Sequence, residues 1–327
     1  MILIKNLISL LKQKDVVYIQ PHNFPDADAI ASAFGLQYFL STFDIKSIII
    51  YAGVLDKLTT ERLCSHLHIE AFNFKEHSNM TEDDYIINID SQRYNSNVID
   101  LIGNKVACID HHTTFRKYKY RYKDIRTVGA CASIIASYYV DTNIPIPKDV
   151  ATALLYGIQT DTANFTRGVK NLDIEMFSNL YNIADTDYIS QLMKTSLTLS
   201  DLTAFGTAIK NVVISNGIGF ADIPFDCNDT LIAKIADFIL SLDCVDFAVA
   251  YAIRKDGIKL SVRSKIPKVL DAGKITNSTL QGIGSGGGHS FMAGGFVPTD
   301  CIKSLNLEDI KASIIDRFSN SVETQLI

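Results

Sequence analysis

The 327-residue sequence has no tryptophan, only seven prolines, and no apolar run long enough to cross a membrane. A spanning helix needs about 20 apolar residues, whereas the longest apolar stretches here are like FAVAYAI at 247–253. The N-terminal stretch MILIKNLISLLKQKD predicts a short amphipathic helix, and no small-residue cleavage site of a secretory signal follows it. We therefore expect no membrane association and a cytoplasmic location.

The sequence also lacks closely spaced cysteines. Among its six cysteines, the closest pair is Cys227 and Cys244, 17 positions apart. The absence of a CxxC pair excludes a zinc knuckle and a compact disulfide framework. We expect most of these cysteines to be small core residues in a reducing compartment.

An excess of positive charge is missing as well. The 31 Lys and Arg residues stand against 36 Asp and Glu residues, which gives a net charge of −5. Proteins that hold duplex nucleic acid by its phosphates are usually basic, so a stable duplex partner is disfavoured. A small phosphorylated substrate remains compatible, because a local site can be electropositive inside an acidic protein.

Short β-branched runs alternate with helical patterns through the first half of the chain. The runs lie at 16–20, 46–52, 84–90 and 105–110, and the helical patterns lie at 28–41, 129–140 and 148–162. This alternation predicts an α/β fold with a doubly wound, mainly parallel sheet that is covered on both faces. We assign residues 1–185 to this domain.

The pattern changes after residue 185. Residues 186–210 predict a helical linker, and residues 211–327 predict a smaller α+β domain with a hairpin around the turn at 255–257. We expect the second domain to face the first across a cleft, with a hinge in the linker. The glycine-rich segment at 282–296 favours a turn, followed by a helical stretch at 293–295.

Acidic and histidine side chains follow the predicted strands of the first domain. The candidates in chain order are His22, Asp26 and Asp28 after the first strand, Asp90 at the end of the third, Asp110, His111 and His112 after the fourth, and Asp161 in a helix. Ligand sites of open parallel sheets form at the carboxyl ends of the strands. We therefore expect these residues to share one edge of the sheet.

Several carboxylates at one edge need a neutralising partner. Each close pair would repel by several kcal/mol at an effective dielectric of ~20, so either cations bind or the carboxyl groups take up protons. Mixed imidazole and carboxylate donors suit Mn²⁺ or a similar ion better than Ca²⁺ or thiolate-bound zinc. Six candidate ligands fit two ions about 3.5–4 Å apart, which is an arrangement used in phosphoryl transfer.

Each group alone has a simpler structural explanation. Asp26 and Asp28 could form a turn and cap the next helix, and the other carboxylates could close a turn and a helix. The consecutive Asp-His-His at 110–112 has no comparable structural use. Because the structural explanations would all have to hold independently at one sheet edge, we favour the metal site.

In this order, the motifs resemble those of the DHH phosphoesterase family. HNFPDAD at 22–28 matches the family's H-x-x-x-D-x-D motif, Asp90 stands for the second motif, DHH at 110–112 for the third and Asp161 for the fourth. The segment VRSK at 262–265 with Arg263, and the GGGH cluster at 286–289, resemble the DHH-associated C-terminal domain. The resemblance covers nearly the whole chain.

The resemblance implies two divalent metal ions, with Mn²⁺ as the first choice and Mg²⁺ or Co²⁺ as alternatives. The implied ligands are His22, Asp26, Asp90 and Asp161 for one ion, and Asp28, Asp90, His111 and Asp161 for the other. His112 would be the catalytic residue, contacting the scissile phosphate or protonating the leaving oxygen, and Asp110 would orient the motif. A hydroxide activated by both ions would attack phosphorus in line.

The second domain would bind substrate. Its candidate residues are Arg263, Gly286, Gly287, Gly288 and His289. Glycines let backbone N–H groups approach an anion closely, so the cluster predicts a phosphate site, although a flexible turn is the commoner cause of such a run. For Arg263, the simpler alternative is an ordinary charge on an edge strand.

By resemblance, the chain is similar to the nanoRNase and pAp phosphatase group. The implied reaction is hydrolysis of phosphate esters in short RNA or DNA oligonucleotides or small nucleotides such as pAp, with linear or cyclic di-adenylate as further candidates. The alternatives are an exopolyphosphatase and a non-catalytic nucleotide-binding module. The sequence is compatible with each of these substrates, and it is also compatible with a homodimer.

Basic and aromatic residues alternate at 115–126, in the segment FRKYKYRYKDIR. Such alternation suits either a groove for single-stranded nucleic acid or an exposed edge strand protected by Lys and Arg. We favour the edge strand.

Overall fold

The computed structural model describes residues 2–55, 58–76, 80–95, 97–114, 116–194, 197–303 and 307–326. The chain divides into two units, Met1–Ser196 and Leu197–Ile327. Each unit has its own sheet and its own buried core.

The N-terminal unit is built on a parallel sheet. Its strands are β1 (Val16–Gln20), β2 (Lys46–Tyr51), β3 (Ala71–Asn73), β4 (Tyr85–Ile89), β5 (Asn104–Asp110) and β6 (Tyr122–Ile125). They lie in the order β3-β2-β1-β4-β5-β6, so the strand order reverses between β1 and β4. This doubly wound parallel sheet confirms the predicted fold, and the reversal creates the crevice where such folds bind ligands.

Seven helices surround this sheet among the described residues. They are α1 (Ile2–Leu11), α2 (Ala27–Ser41), α3 (Leu58–His66), α4 (Cys131–Thr142), α5 (Lys148–Asp161), α6 (Asn171–Tyr181) and α7 (Thr186–Lys194). The apolar face predicted at the N-terminus is present, because Leu7 and Leu11 of α1 are fully buried. Helices α2, α4 and α5 pack against one another beside the central strands. Strand β4 is buried along its whole length, as expected for a strand covered on both faces.

The C-terminal unit contains a mixed sheet. Its elements are α8 (Leu199–Asn211), β7 (Val213–Ser215), β8 (Ile218–Ile223), α9 (Asp229–Leu240), β9 (Phe247–Arg254), β10 (Gly257–Ser264), α10 (Ala272–Leu280), β11 (Ser285–Gly288), β12 (Met292–Pro298), α11 (Thr299–Lys303) and α12 (Leu307–Leu326). The strand order is β11-β12-β10-β9-β8-β7, and β8–β9 is its one parallel pair in the described part of the chain. The predicted α+β unit with its β9–β10 hairpin is therefore present.

The stretch predicted as a linker consists of two helices that belong to different units. Ile189 and Leu192 of α7 lie in the core of the N-terminal unit. Ala204 and Ala208 of α8 lie in a core of the C-terminal unit. The division between the units falls between residues 196 and 197.

The glycine-rich segment differs from the sequence-based expectation of a turn followed by a helix. Residues 285–288 form β11, and the stretch at 293–295 lies in β12, which pairs antiparallel with β11. A Cβ atom on Gly286 would lie 2.7 Å from Thr276 Cγ2, and one on Gly295 would lie 2.5 Å from Leu280 Cδ1. The missing side chains let α10 pack closely on these strands, which explains why glycine-rich sequence is extended here.

The basic and aromatic segment at 115–126 is only partly a strand. Tyr122–Ile125 forms β6 at the edge of the sheet beside β5, as expected for that part. Residues 116–121 precede the strand as a loop. Phe115 lies outside the described residues.

Candidate metal centre

The loop after β1 carries the first two candidate ligands. Asp26 caps the N-terminus of α2, where its Oδ1 accepts a hydrogen bond from Ala29 N at 3.1 Å. The same oxygen lies 3.8 Å from His22 Nε2. The predicted helix cap is therefore present, and it does not remove Asp26 from the cluster.

Asp28 is buried in the first turn of α2 and connects that helix to α4. Its Oδ2 accepts from Cys131 N at 2.7 Å, and its Oδ1 accepts from Ala132 N at 2.9 Å. Both donors lie in the first turn of α4, where helix N–H groups favour a negative charge. Burial, and then the negative charges of Asp90 and Asp161, nevertheless raise the pKa of Asp28 well above its ordinary value.

Asp90 lies directly after β4 in a left-handed backbone conformation, with φ of +52°. Its side chain is buried, with Oδ1 3.3 Å from His111 Nε2 and Oδ2 3.6 Å from His22 Nε2. A left-handed backbone at a non-glycine residue is uncommon and is often found at functional sites. Asp90 thus bridges histidines that follow two different strands.

Each of the three histidines donates a hydrogen bond through Nδ1. The acceptors are Asn23 O for His22 at 2.9 Å, Val128 O for His111 at 3.1 Å, and Asp110 Oδ1 for His112 at 2.8 Å. Carbonyl and carboxylate oxygens only accept, so Nδ1 carries the proton and Nε2 carries the lone pair of a neutral ring. This is the usual way in which proteins orient metal-binding histidines.

Asp161 is the last residue of α5. Its Oδ2 lies 3.3 Å from His111 Nε2, and its backbone carbonyl accepts from Arg167 Nη2 at 2.8 Å. Burial raises the pKa of Asp161 to about 6, helped by Asp26 and Asp90 and opposed by His111 and Arg167.

The six predicted metal ligands fall into two separate groups of three. His22, Asp26 and Asp90 form one group, and Asp28, His111 and Asp161 form the other; within each group, one potential ligand atom per residue lies within 4.8 Å of the others. Asp90 also groups with His111 and His112. The structure therefore brings together every residue predicted to bind metal, together with His112.

Two buried atoms in this cluster fit a divalent cation. Among the described residues, neither Asp90 Oδ1 nor His111 Nε2 has a hydrogen-bond partner. Buried polar atoms are nearly always paired, so two unpaired ones 3.3 Å apart need an explanation. A cation would satisfy both, because carboxylate and neutral imidazole are donors that divalent transition metals accept.

The local electrostatics favour a positive charge within the cluster. Burial opposes the charged form of His22, but the negative charges of Asp26 and Asp90 raise its pKa to about 9. Burial also opposes the charged form of His111, but the negative charges of Asp90, Asp161 and Asp28 raise its pKa well above its ordinary value. The cluster thus holds protons more tightly than isolated side chains do.

Gln92 and Arg167 take part in this arrangement, although no motif in the sequence includes either residue. Gln92 Nε2 donates to Asp110 Oδ2 at 2.7 Å and to His112 O at 3.0 Å. Arg167 Nη2 lies 3.7 Å from Asp161 Oδ1. The one available hint was proximity in sequence, since each follows a candidate ligand by a few residues.

Two protein-family models match this chain. The N-terminal domain model of the DHH family matches residues 16–158, and the DHHA1 domain model matches residues 211–320. The chain belongs to the DHH family, with a C-terminal DHHA1 domain.

Three curated relatives of this DHH-family chain are 24% to 28% identical to it. An uncharacterized protein of Methanocaldococcus jannaschii is 28% identical over 93% of this chain and 63% of its own length. A probable manganese-dependent inorganic pyrophosphatase of Streptococcus pyogenes is 24% identical over 72% of this chain and 77% of its own length. The cyclic-di-AMP phosphodiesterase PdeA of Listeria monocytogenes is 24% identical over 86% of this chain and 45% of its own length.

The chain thus spans less than two thirds of the first and third of these relatives. Among solved structures, an exopolyphosphatase-related protein from Bacteroides fragilis matches with a TM-score of 0.81, at 20% identity over 99% of this chain and 97% of that one. This likeness shows a shared fold. In the described part of the DHH-family chain, no helix combines the length and the apolar character that crossing a bilayer requires.

In the DHHA1 domain, Arg263 is buried and bound by its own unit. Its Nε donates to Asp237 Oδ1 at 2.6 Å, and its Nη1 donates to Ser261 Oγ at 3.0 Å and to Val262 O at 3.0 Å. It is therefore not an exposed edge-strand charge. The structure shows this internal pairing, and the role of Arg263 in substrate binding stays a prediction.

The glycine cluster contains one glycine that internal packing does not explain. Gly286 and Gly288 are needed because a Cβ would lie 2.7 Å from Thr276 Cγ2 and 2.5 Å from Met292 O, respectively. At Gly287, by contrast, no described atom lies within 4 Å of where a Cβ would be. His289 follows directly, with its ring stacked 5.4 Å from the ring of Phe291.

Proposed function

We propose that this chain is a metal-dependent phosphoesterase that hydrolyses short oligonucleotides or small nucleotides. The observation that carries the proposal is the convergence of six ligand-type side chains in two groups of three around the unpaired Asp90 Oδ1 and His111 Nε2. Membership of the DHH family supports the reaction class.

The two groups would hold two divalent ions. His22, Asp26 and Asp90 are the ligands available to one ion, and Asp28, His111 and Asp161 are those available to the other, with Asp90 and Asp161 as the proposed bridges. Mn²⁺ is the first choice, with Mg²⁺ and Co²⁺ as alternatives, because the donors mix nitrogen and oxygen. When bound, such ions lower the pKa of water and polarise phosphoryl oxygens.

His112 is the proposed catalytic residue. Burial disfavours its charged form, but the hydrogen bond from its Nδ1–H to Asp110 and the charge of Asp90 raise the pKa of His112 above its ordinary value. Gln92 holds both Asp110 and the His112 carbonyl, which fixes the orientation of the ring. In this position, His112 can hold a proton on Nε2 and deliver it to the leaving oxygen.

We assign catalysis and substrate binding to different domains of the chain. Residues 1–185 would form the phosphoesterase domain, 186–210 would connect the domains, and 211–327 would bind substrate. Gly287 and His289 are the proposed phosphate contacts, because backbone N–H groups near glycine can approach an anion closely. Arg263 would contribute positive charge to the same task. The name of one relative, a cyclic-di-AMP phosphodiesterase, supports a nucleotide substrate.

A substrate panel tests this proposal. The full chain is incubated with a 5′-phosphorylated dinucleotide, pAp, cyclic di-adenylate or polyphosphate, each with and without Mn²⁺. Release of mononucleotide or phosphate from a nucleotide substrate, dependent on the metal, is the expected result. Turnover of polyphosphate alone would favour an exopolyphosphatase. Tight nucleotide binding without turnover would instead identify a binding module.

A further inference from the structure

An exposed aromatic residue stands between two of the proposed metal ligands in the sequence. Phe24 follows His22 by two residues and precedes Asp26 by two, and 55% of its surface is exposed. Single exposed apolar side chains are common, so exposure alone carries no argument. The feature to be explained is the position of this ring in the loop after β1, which also carries the proposed metal ligands His22 and Asp26.

The backbone of Phe24 is held in an unfavourable conformation. Its φ is +53°, which is in the left-handed region that bulky residues rarely adopt. Its N–H donates to Ala52 O at 2.9 Å, and the neighbouring Asn23 accepts from Ile99 N through Oδ1 at 3.1 Å. The fold therefore constrains the loop strongly while leaving the ring largely outside the core, and strain of this kind is typical of functional sites.

The ring of Phe24 rests against Gly53. A Cβ atom at Gly53 would lie 2.7 Å from Phe24 Cδ1 and Cε1, so the ring occupies the space where any other residue would place its side chain. One side of the ring is thereby supported by the loop after β2. A supported and constrained aromatic ring loses little conformational entropy when a ligand packs on it.

A second aromatic group lies on the neighbouring loop after β4. The guanidinium of Arg93 lies 5.0 Å from the ring centre of Tyr94 and 4.7 Å from that of Tyr118. Tyr94 is 50% exposed and also has a positive φ of +74°. Tyr120 anchors this group, because its hydroxyl accepts from Arg93 N at 2.7 Å. Tyr118 and Tyr120 thus contact the loop after β4. That loop is hydrogen-bonded to the loop of Phe24, because Asn23 N donates to Asn97 O at 2.7 Å and Ile99 N donates to Asn23 Oδ1 at 3.1 Å.

We propose that Phe24, together with the Arg93–Tyr94–Tyr118 group, forms a nucleobase-stacking surface beside the metal centre. The inference rests on the proposed function, because it assumes that the centre binds the phosphate of the substrate. A molecule whose phosphate lies at His22 and Asp26 brings its neighbouring group close to Phe24. A nucleobase offers a flat ring to stack there, whereas polyphosphate offers none.

Fluorescence of a 2-aminopurine nucleotide tests the surface without requiring turnover. The monophosphate of 2-aminopurine riboside is titrated with Mn²⁺-loaded protein, and inorganic phosphate serves as the ring-free competitor. Stacking quenches the probe, and the protein contains no tryptophan to interfere. We expect Phe24→Leu, which keeps apolar bulk but removes the ring, to raise Kd for the probe by about five- to hundredfold and to reduce quenching. Phe24→Tyr should restore both.

Further variants separate stacking from a general loss of structure. Phe24→Gly adopts a positive φ without strain, so it should fold and still show the loss of affinity. Tyr181 of α6 is exposed to a similar extent, at 49%, and is not part of the proposed surface, so Tyr181→Leu should bind the probe as wild type does. Tyr94→Leu should weaken binding in the same direction as Phe24→Leu.

The outcomes distinguish failure of this inference from failure of the proposed function. Wild-type affinity and quenching in both Phe24→Leu and Phe24→Gly would overturn the stacking surface, even if the protein hydrolyses nucleotides. Weakened binding in these variants would support it, even if no panel substrate is turned over. Equal loss in Tyr181→Leu would also contradict it, because the effect would then not be local to the metal centre.

Discussion

Individual side chains at the metal centre combine one hydrogen bond that fixes them with one atom that faces the cluster. His111 donates through Nδ1 to Val128 O, while its Nε2 is unpaired among the described residues. Asp26 caps α2 through the same oxygen that approaches His22. The protein itself therefore orients the proposed ligand atoms, so that the site is preorganised for an ion.

Asp90→Asn tests the central ligand. Asparagine tolerates a positive φ, so the backbone should be kept, but one ligand charge is lost. We expect kcat/KM for a metal-dependent substrate to fall by about 100-fold or more. The Tm in EDTA should rise, because repulsion from Asp28 and Asp161 decreases. Steady-state kinetics and thermal unfolding measure the two effects.

The matched control for that variant is Asp44→Asn. Asp44 is also an aspartate at positive φ, +60°, but it is exposed in the turn after α2. The Asp44→Asn variant should keep both turnover and Tm near the wild-type values. Wild-type turnover in Asp90→Asn would rule out the role assigned to Asp90.

The pH dependence of the metal-free protein tests the electrostatic part of the account. Asp161 has its pKa raised to about 6 from an ordinary value of 3.8, and His22 has its pKa raised to about 9 from 6.5. In both cases the folded state holds the proton more tightly, so the stabilisation is complete below the unfolded-state pKa and is lost as pH rises through the folded-state pKa. In EDTA, Tm should therefore fall between pH 5 and 9 as these groups lose their protons.

Addition of Mn²⁺ should reverse this trend. The ion replaces the protons, so the increase in Tm that it causes should be larger at the high-pH end of that range than at the low-pH end. An EDTA-treated protein whose Tm rises steadily with pH, or a metal effect independent of pH, would contradict the account.

At the scale of elements, the junction of α2, α4 and α5 supports one side of the centre. Asp28 of α2 accepts two N–H groups from α4. Gly157 of α5 faces the same point, because a Cβ there would lie 3.1 Å from Asp28 Oδ1 and 3.2 Å from Ala132 Cβ. The three helices approach closely here because one of them lacks a side chain.

Gly157→Ala should therefore destabilise the N-terminal unit. Alanine favours a helix over glycine by about 1 kcal/mol, but overpacking at this contact should cost about 1–3 kcal/mol. Gly206→Ala in α8 is the matched control, since no described atom lies within 4 Å of its added Cβ. Urea unfolding should show a lower free energy of unfolding for Gly157→Ala and an unchanged or higher one for Gly206→Ala. Shifts in the same direction would refute the packing argument.

The elements that could be predicted from sequence are those with long or sharply bounded patterns. Strands β1, β4 and β5 are largely buried runs, and the motif residues at their ends mark the site. Strand β2 is a half-buried apolar run that ends before a glycine turn. Strands β3 and β6 have three and four residues, which is too short for a period to be recognised. Strand β11 was missed because its glycines serve packing against α10, a contact that is distant in sequence. The rotamers that expose Phe24 and pair Arg263 with Asp237 depend on such contacts as well.

At the scale of the whole molecule, the two units have separate hydrophobic cores. Among the described residues, two buried clusters lie within Met1–Ser196 and two others lie within Leu197–Ile327. All proposed metal ligands belong to the first unit. Ligand binding stabilises only the folded unit that contains the site.

Calorimetry should therefore resolve two unfolding transitions. Saturating Mn²⁺ is expected to raise the midpoint of one transition, with about 2.7 kcal/mol of stabilisation at 100 times Kd, and to leave the other in place. Asp90→Asn should abolish or strongly reduce the shift. A single cooperative transition, or an equal shift of both, would contradict the independence of the units.

Anomalous diffraction from crystals soaked in Mn²⁺ would locate the proposed ions. We expect two manganese peaks in the N-terminal unit, one bound by His22, Asp26 and Asp90 and the other by Asp28, His111 and Asp161. A map without manganese among these side chains, in crystals that contain the ion, would contradict the proposed metal centre.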